Sequence, residues 1–367
     1  MFLERLEAQD FRNLSGSISP STGLNILVGE NGQGKTNWLE AIHLIATTRS
    51  FRTGKPQESI RFEQEMAIVR GSVRRAEEIV RDLQIVLQSK SKILTINTKK
   101  TTLAEYLGEL NSVVFNSDAV DIVRGHPETR RKFLDDAIVG IHPPFVQTFA
   151  DYNRVLKQKN SLLQNSRDNE FELSKVAELL APWNEQLVSL AARIHRGRVR
   201  IVERLNEALD KRLLGDEAVS IRYLSSLEGK GDLADYESLI AERLQLRVQA
   251  ETVAGHALIG PHRDDLEITF DGHDLRKFGS AGQQRSAVLI LLLANISIYH
   301  ATTGEYPLFL LDDIDAELDY RRIGKLLEFL DGKTQTFVTT SKESFVEKFA
   351  QNASVFAIRN GRVSTSD

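Results

Sequence analysis

The chain of 367 residues has no cysteine, which excludes disulfides, thiolate metal sites and cysteine nucleophiles. No run of about 18 apolar residues appears, so no membrane span is expected. The opening Met1-Phe2-Leu3-Glu4-Arg5-Leu6-Glu7 carries acids and no apolar core of signal-peptide length, so export is not expected either. A cytoplasmic protein without a membrane partner is the expectation. Internal repeats and low-complexity tracts are also missing. So is a strong charge of either sign: 47 Lys and Arg against 51 Asp and Glu leave a formal net charge of −4. A small dedicated DNA-binding domain is usually basic, but a larger chain can carry a local basic groove under a balanced total. The sign therefore decides little. With 41% hydrophobic and 27% charged residues the composition is that of an ordinary globular protein. The length allows roughly two to three domains.

What the sequence does have is a complete G-x-x-x-x-G-K-[ST] phosphate loop, Gly29-Glu30-Asn31-Gly32-Gln33-Gly34-Lys35-Thr36. An apolar strand pattern, Gly23 to Val28, runs into it, and a helical pattern, Asn37 to Ile42, runs out of it. Glycines let consecutive backbone N–H groups turn inward around a phosphate, and the helix that follows adds its positive dipole end. Lys35 then reaches the β- and γ-phosphates and the Thr36 hydroxyl ligates Mg²⁺. A bound nucleoside triphosphate is expected.

The first hundred residues read mostly as strand, at Phe2–Phe11, Leu24–Val28, Ala67–Val73, Leu83–Leu87 and Ile93–Asn97, with Val113–Phe115 beyond. From about Pro127 to Leu214 apolar residues recur every three and four positions, a helical block in which Pro182 should start or kink a helix. Strand and helix alternate again from about Ala257. Strand patterns fall at Leu266–Phe270, Pro307–Leu311, Thr334–Thr340 and Val355–Arg359, with helices at Ala281–Tyr299, Tyr320–Leu330 and Ser344–Ala350. The fold expected is α/β, a P-loop ATPase domain built from both chain ends and interrupted by a mainly helical lobe. The parts are 1–115 with the phosphate loop, 116–254 helical, and 255–367 closing the ATPase.

Pro307-Leu308-Phe309-Leu310-Leu311-Asp312-Asp313 is an apolar strand ending in two carboxylates. Buried parallel strands read as continuous apolar runs, and ligands bind beyond their carboxyl ends. Asp312 is thus placed to hold Mg²⁺ through water as a Walker B acid, and Asp313 to orient or deprotonate the attacking water. Before it, Phe278-Gly279-Ser280-Ala281-Gly282-Gln283-Gln284-Arg285 resembles the signature of the ABC-type ATPases. Ala316-Glu317-Leu318-Asp319, after Asp313, resembles their D-loop. That resemblance implies that Ser280, Gly282 and Gln283 bind the γ-phosphate held by another subunit, so the active species is an ATP-sandwich homodimer that hydrolysis opens.

Further strings narrow the family. They are Asp10-Phe11-Arg12-Asn13-Leu14, Thr36-Asn37-Trp38-Leu39-Glu40-Ala41-Ile42, Arg49-Ser50-Phe51-Arg52-Thr53, Gly125 to Asp135, and Gly260-Pro261-His262-Arg263-Asp264-Asp265. Nearly end to end they resemble the RecF family of recombination-mediator ATPases, relatives of the SMC proteins. The resemblance implies ATP-dependent binding to gapped or junction duplex DNA, with RecR and indirectly RecO as partners. It further implies loading of RecA onto single-stranded gaps in replication, recombinational repair and the SOS response. Phe115-Asn116-Ser117-Asp118 stands where the family often has a proline-containing turn, which leaves the Q-loop equivalent open. Thr339-Thr340-Ser341 offers no switch histidine, which argues against a transporter subunit. Asp313 is one methylene shorter than the glutamate usual in transporters, implying slow hydrolysis, a weak DNA-stimulated ATPase. A fused nuclease would need more chain after Asp313, and SMC arms would need longer unbroken heptads.

Cations cluster in three places. Arg193, Arg196, Arg200 and Arg204 share one helical face, which suits either several DNA phosphates or a solvated face paired to Glu203 and Glu207. Arg130, Arg131 and Lys132 carry the same two readings. Lys90, Lys92, Lys99 and Lys100 flank a strand pair, as a DNA border or as edge-strand protection. No aromatic is interleaved for base stacking, so contact with backbone, at little sequence preference, is expected. His262 and Asp264 read as a structural or nucleotide-sensing pair.

Overall fold

The computed structural model describes residues 1–75, 79–215 and 217–364. Its strands are β1 (Phe2–Phe11), β2 (Leu14–Ile18), β3 (Leu24–Val28), β4 (Met66–Arg74), β5 (Val80–Gln88), β6 (Ser91–Ile96), β7 (Lys99–Lys100) and β8 (Ser112–Phe115). After the helical block come β9 (Val219–Leu224), β10 (Asp265–Phe270), β11 (His273–Asp274), β12 (Leu308–Leu311), β13 (Thr336–Thr340), β14 (Ala353–Arg359) and β15 (Arg362–Ser364). Contacts group them into two compact units. One comprises Met1–Val120, Arg212–Glu217 and Gln284–Asp367, the other Asp121–Lys211 and Ala218–Gln283.

The first unit holds two six-stranded sheets. The antiparallel one has the order β2-β1-β4-β5-β6-β7. Its long strands alternate between buried and exposed residues, as in β4, where Ala67, Val69, Gly71 and Val73 point inward. That is the period-2 pattern of a sheet with one face in the core. The second sheet has the order β15-β14-β3-β13-β12-β8, parallel apart from the β14–β15 hairpin. Here β12 and β13 are buried at every residue, as expected of central parallel strands. The helix Lys35–Thr47 follows the phosphate loop. Trp38, Leu39, Ala41, Ile42, Leu44 and Ile45 on it have no exposed surface, and they share one core with apolar residues of both sheets. Thr36, Asn37, Glu40, His43 and Thr47 form a narrower polar stripe on the same helix, four of them half-buried and Glu40 fully buried, as expected of a helix with a wide apolar face in the core. Ala281–Thr303 is the one helix among the described residues that is long and apolar enough to cross a membrane. With 67% of its apolar window buried, it is a core helix instead.

The second unit is built on three long helices, Pro127–Ile141, Phe145–Asp168 and Leu173–Leu209, with shorter ones at Tyr236–Leu246 and Val248–Ala254. A small antiparallel sheet, β11-β10-β9, completes it. Of the two roles expected of Pro182, a helix start is not taken: it lies inside Leu173–Leu209. Residues 255–283, read as part of the ATPase, belong by contact to the helical unit. The reason is β9, unrecognised in sequence, which pairs with β10 from Val219↔Phe270 to Leu224↔Asp265.

Candidate nucleotide site

Four parallel strands of the first unit end at one place. β3 opens into the phosphate loop, β12 into Asp312-Asp313, β13 carries Thr339 near its end, and β8 runs into Asn116-Ser117. They meet at a cavity of about 420 Å³ lined by loop residues Asn31, Gly32, Gly34, Lys35 and Thr36, together with Asp312, Asp313 and Thr339. Ligand sites beyond the carboxyl ends of parallel strands are the rule for such sheets.

The loop is shaped by close approach. Gly34 takes φ 104, and a Cβ there would stand 2.7 Å from Asn13 Oδ1. At Gly29 a Cβ would collide with the Ile358 carbonyl oxygen. The loop's back is tied to the β14–β15 turn, since the N–H of Gly361 donates to Gln33 O at 2.7 Å and that of Asn360 to Gln33 Oε1 at 2.8 Å. Lys35 is buried, and its ammonium donates to the carbonyls of Gly29 (2.7 Å) and Glu30 (2.9 Å). Burial lowers its pKa; the carboxylates of Asp313, Asp312 and Asp315 oppose that shift.

Thr36 donates through Oγ1 to Asp312 Oδ1 at 2.8 Å, and Thr339 donates to the same oxygen at 2.8 Å. Burial raises the Asp312 pKa, while the two hydroxyl bonds lower it and Asp313 raises it again. Asp313 sits in the left-handed region at φ 51, ψ 45, and its N–H donates to Thr339 Oγ1 at 2.8 Å. A hydroxyl and a carboxylate side by side at a phosphate loop are hard oxygen ligands of the kind Mg²⁺ uses with one or two protein groups plus phosphates. The residues present therefore fit that ion.

Several lining residues were not singled out as site residues in sequence: Asn37, Arg52, Ser117, Glu317 and Thr339. Ser117 lies in the stretch where the Q-loop equivalent was left open. Arg52 donates to Asn37 Oδ1 at 2.8 Å, and Asn37 in turn donates to Asn13 Oδ1 at 2.8 Å. Beneath them Glu40, fully buried, takes a two-pronged bond from Arg12 (3.1 and 2.9 Å) and bonds from the hydroxyls of Ser50 (2.6 Å) and Ser59 (3.1 Å). Such charge-assisted, paired bonds are strong and directional. They bind three separate sequence strings into one support under the loop helix.

Ser280, Gly282 and Gln283 belong to the second unit and are exposed. They form a reciprocal turn opening a helix, with the Ser280 N–H donating to Gln283 Oε1 (2.8 Å) and the Gln283 N–H to Ser280 Oγ (3.3 Å). Of the cation clusters, Arg193, Arg196 and Arg200 are exposed and Arg204 half-buried, with Arg196 4.0 Å from Glu237. Arg130 instead is buried in a two-pronged pair with Asp265 (2.6 and 3.0 Å), and Arg131 donates to the Asp264 carbonyl at 2.8 Å. Arg130 is thereby taken up in the interior, while Arg131 is half-buried. Lys92 donates to the carbonyl and hydroxyl of Thr48, each at 2.9 Å, and burial, aided by Arg49, brings its pKa down to about 8. Lys99 and Lys100 form the edge strand β7. Asp264, fully buried, accepts from Ser226 N (2.6 Å) and from the Tyr223 hydroxyl, while His262 Nδ1 meets Tyr152 Oη at 2.7 Å. Both residues are thus hydrogen-bonded within the second unit.

Comparison with known proteins agrees with this geometry. The family model described as "RecF/RecN/SMC N terminal domain" matches residues 2–364. The DNA replication and repair protein RecF of Halothermothrix orenii is 37% identical over 99% of this chain and 98% of its own length. That of Gloeobacter violaceus is also 37% identical, over the same shares. A solved structure of the recombination mediator protein RecF-ATPrS in the RecFOR pathway superposes with TM-score 0.89 at 32% identity, covering 99% of this chain and 97% of the other. An SmcHead structure, at TM-score 0.54 and 16% identity, shares the fold alone. With an ABC-type ATPase fold, a phosphate loop facing a Walker B carboxylate and relatives matched end to end, the chain belongs to the RecF family.

Proposed function

We propose that this chain is an ATP-driven DNA clamp that acts as a recombination mediator in the RecFOR pathway. The observation that carries the reading is the convergence of Lys35, Thr36, Asp312 and Asp313 on one cavity at the strand ends. Similar RecF chains were solved with ATP or ATPrS, which supports ATP as the ligand. The loop residues Gly29, Glu30, Asn31, Gly32, Gln33 and Gly34 cradle the phosphates, and Lys35 turns from the loop carbonyls toward the β- and γ-phosphates. Thr36 and Asp312 hold Mg²⁺, which neutralises charge on those oxygens when bound. Asp313 orients the attacking water and accepts its proton, slowly because its carboxylate is short.

Ser280, Gly282 and Gln283 supply the second half of the site to another copy of the chain. Their exposure and their capped helix start, an N–H-rich anion site, support that role. ATP then closes a homodimer on gapped or duplex DNA, and hydrolysis opens it. Arg193, Arg196, Arg200 and Arg204 are the phosphate-contacting candidates. With RecR, and indirectly RecO, the clamp promotes RecA loading in repair, replication restart and the SOS response, as a cytoplasmic protein. Sedimentation with ATP, with and without gapped duplex, over a salt series tests the reading. The expected result is an ATP-dependent dimer whose DNA affinity falls linearly on log–log axes. A monomer in ATP, or DNA binding with no salt slope, would overturn it.

A further inference from the structure

Thr339 has a single hydroxyl proton and spends it on Asp312 Oδ1; a lone pair of the same oxygen takes the Asp313 N–H. Both distances are 2.8 Å, and the residue is 1% exposed. One atom thus touches the side chain of the first carboxylate and the backbone of the second. We propose that Thr339 is a positioning residue for hydrolysis, setting the metal-holding carboxylate and the water-orienting one in a fixed relation. The inference rests on the proposed roles of Asp312 and Asp313.

Three observations argue for it. Thr36 and Thr339 both donate to Asp312 Oδ1, so two donors on one oxygen hold the carboxylate in place. Asp313 holds a left-handed backbone, which among residues with a side chain Asn and Asp adopt most readily, and its N–H bond to Thr339 anchors the peptide entering that turn. The chain also has no histidine from Thr334 to Ser341. This strand end therefore contributes a hydroxyl, aimed at the two acids of the neighbouring strand end. Lys35 donates to loop carbonyls and not to Thr339, so the main phosphate contact expected of the loop does not pass through the Thr339 hydroxyl.

The test compares wild type, Thr339→Val and Thr339→Ser in steady-state ATP turnover with varied ATP and Mg²⁺, alongside thermal unfolding of each. Valine keeps the shape and removes both bonds. The expected result is a kcat lower by roughly 10- to 100-fold, with KM for ATP within about twofold and a higher Mg²⁺ requirement. Serine should restore kcat to within about threefold at an unfolding temperature no higher than that of the valine variant. Wild-type kcat in Thr339→Val, or loss in Thr339→Ser matching the loss in Thr339→Val, would overturn the proposal. Wild-type protein that binds no ATP would overturn the reading of the site itself, a distinct result.

Discussion

Arg285 pairs with Glu317 at 2.7 Å, and Glu317 lines the nucleotide cavity. Arg285 lies in the first turns of the helix Ala281–Thr303, and Glu317 ends the short helix Ile314–Glu317 that follows Asp312-Asp313. One ion pair, 11% exposed on its acidic side, thereby fastens the start of that helix to the segment leaving β12.

Ser280→Arg is expected to bind ATP normally and remain monomeric, because a long cation replaces the small hydroxyl at the exposed surface proposed to meet a second copy. Sedimentation with and without ATP reads this; an ATP-bound dimer of the variant would refute action in trans.

Lys35→Ala removes the only ammonium in the loop. A hydrogen bond to a charged group contributes about 1.5–3 kcal/mol, so ATP affinity should drop roughly ten- to hundredfold. Equilibrium binding of a labelled nucleotide checks it, and dimerisation driven by nucleotide should vanish in parallel.

Asp313→Asn keeps shape and hydrogen bonding but cannot accept a proton. ATP should still close the dimer, which should then persist on DNA, with turnover reduced by about 10²-fold or more. Unchanged turnover would take Asp313 out of the reaction.

Arg198 is buried and holds Asp135 with two bonds, at 2.8 and 2.9 Å, while donating to the Pro261 carbonyl at 2.7 Å. Arg198→Ala strands a carboxylate that is three-quarters covered. The expected cost is about 3 kcal/mol, read as a lower denaturation midpoint in urea, with Lys35-dependent ATP binding retained.

His262 is half-buried, and this desolvation brings its pKa down to about 4. The unfolded chain therefore binds the extra proton first, between pH 6.5 and 4, and stability falls as pH drops through that window. His195 is shifted in the same direction by burial. His262→Gln should flatten part of the slope of unfolding free energy against pH between 6.5 and 4; an unaltered slope would rule His262 out as its source.

The phosphate loop, the apolar strand before Asp312 and the helix periods were legible because each is a local pattern, set by residues within a few positions. Arg130 and Arg198 were not, since their partners Asp265 and Asp135 lie 135 and 63 positions away, and a cation in a sequence reads the same whether solvated or buried. β9 escaped because Val219-Ser220-Ile221-Arg222-Tyr223-Leu224 is short and earns its identity only from β10. Thr339 stands out in the sequence only by not being histidine. Its meaning lies in a register, Leu311↔Val338, that no single strand encodes. The strings around Arg12, Glu40 and Ser50 drew attention as a family resemblance; their physical reason is one buried carboxylate.

The strand leading into the phosphate loop is flanked by Thr336–Thr340 on one side and Ala353–Ala357 on the other. Both neighbours are translated about three hundred residues later. During synthesis the loop therefore leaves the ribosome with neither flank of its strand paired and with the turn at Asn360 and Gly361 not yet made. The shape of the loop thus rests on contacts of very long sequence separation, whose loop-closure entropy must be met before they form.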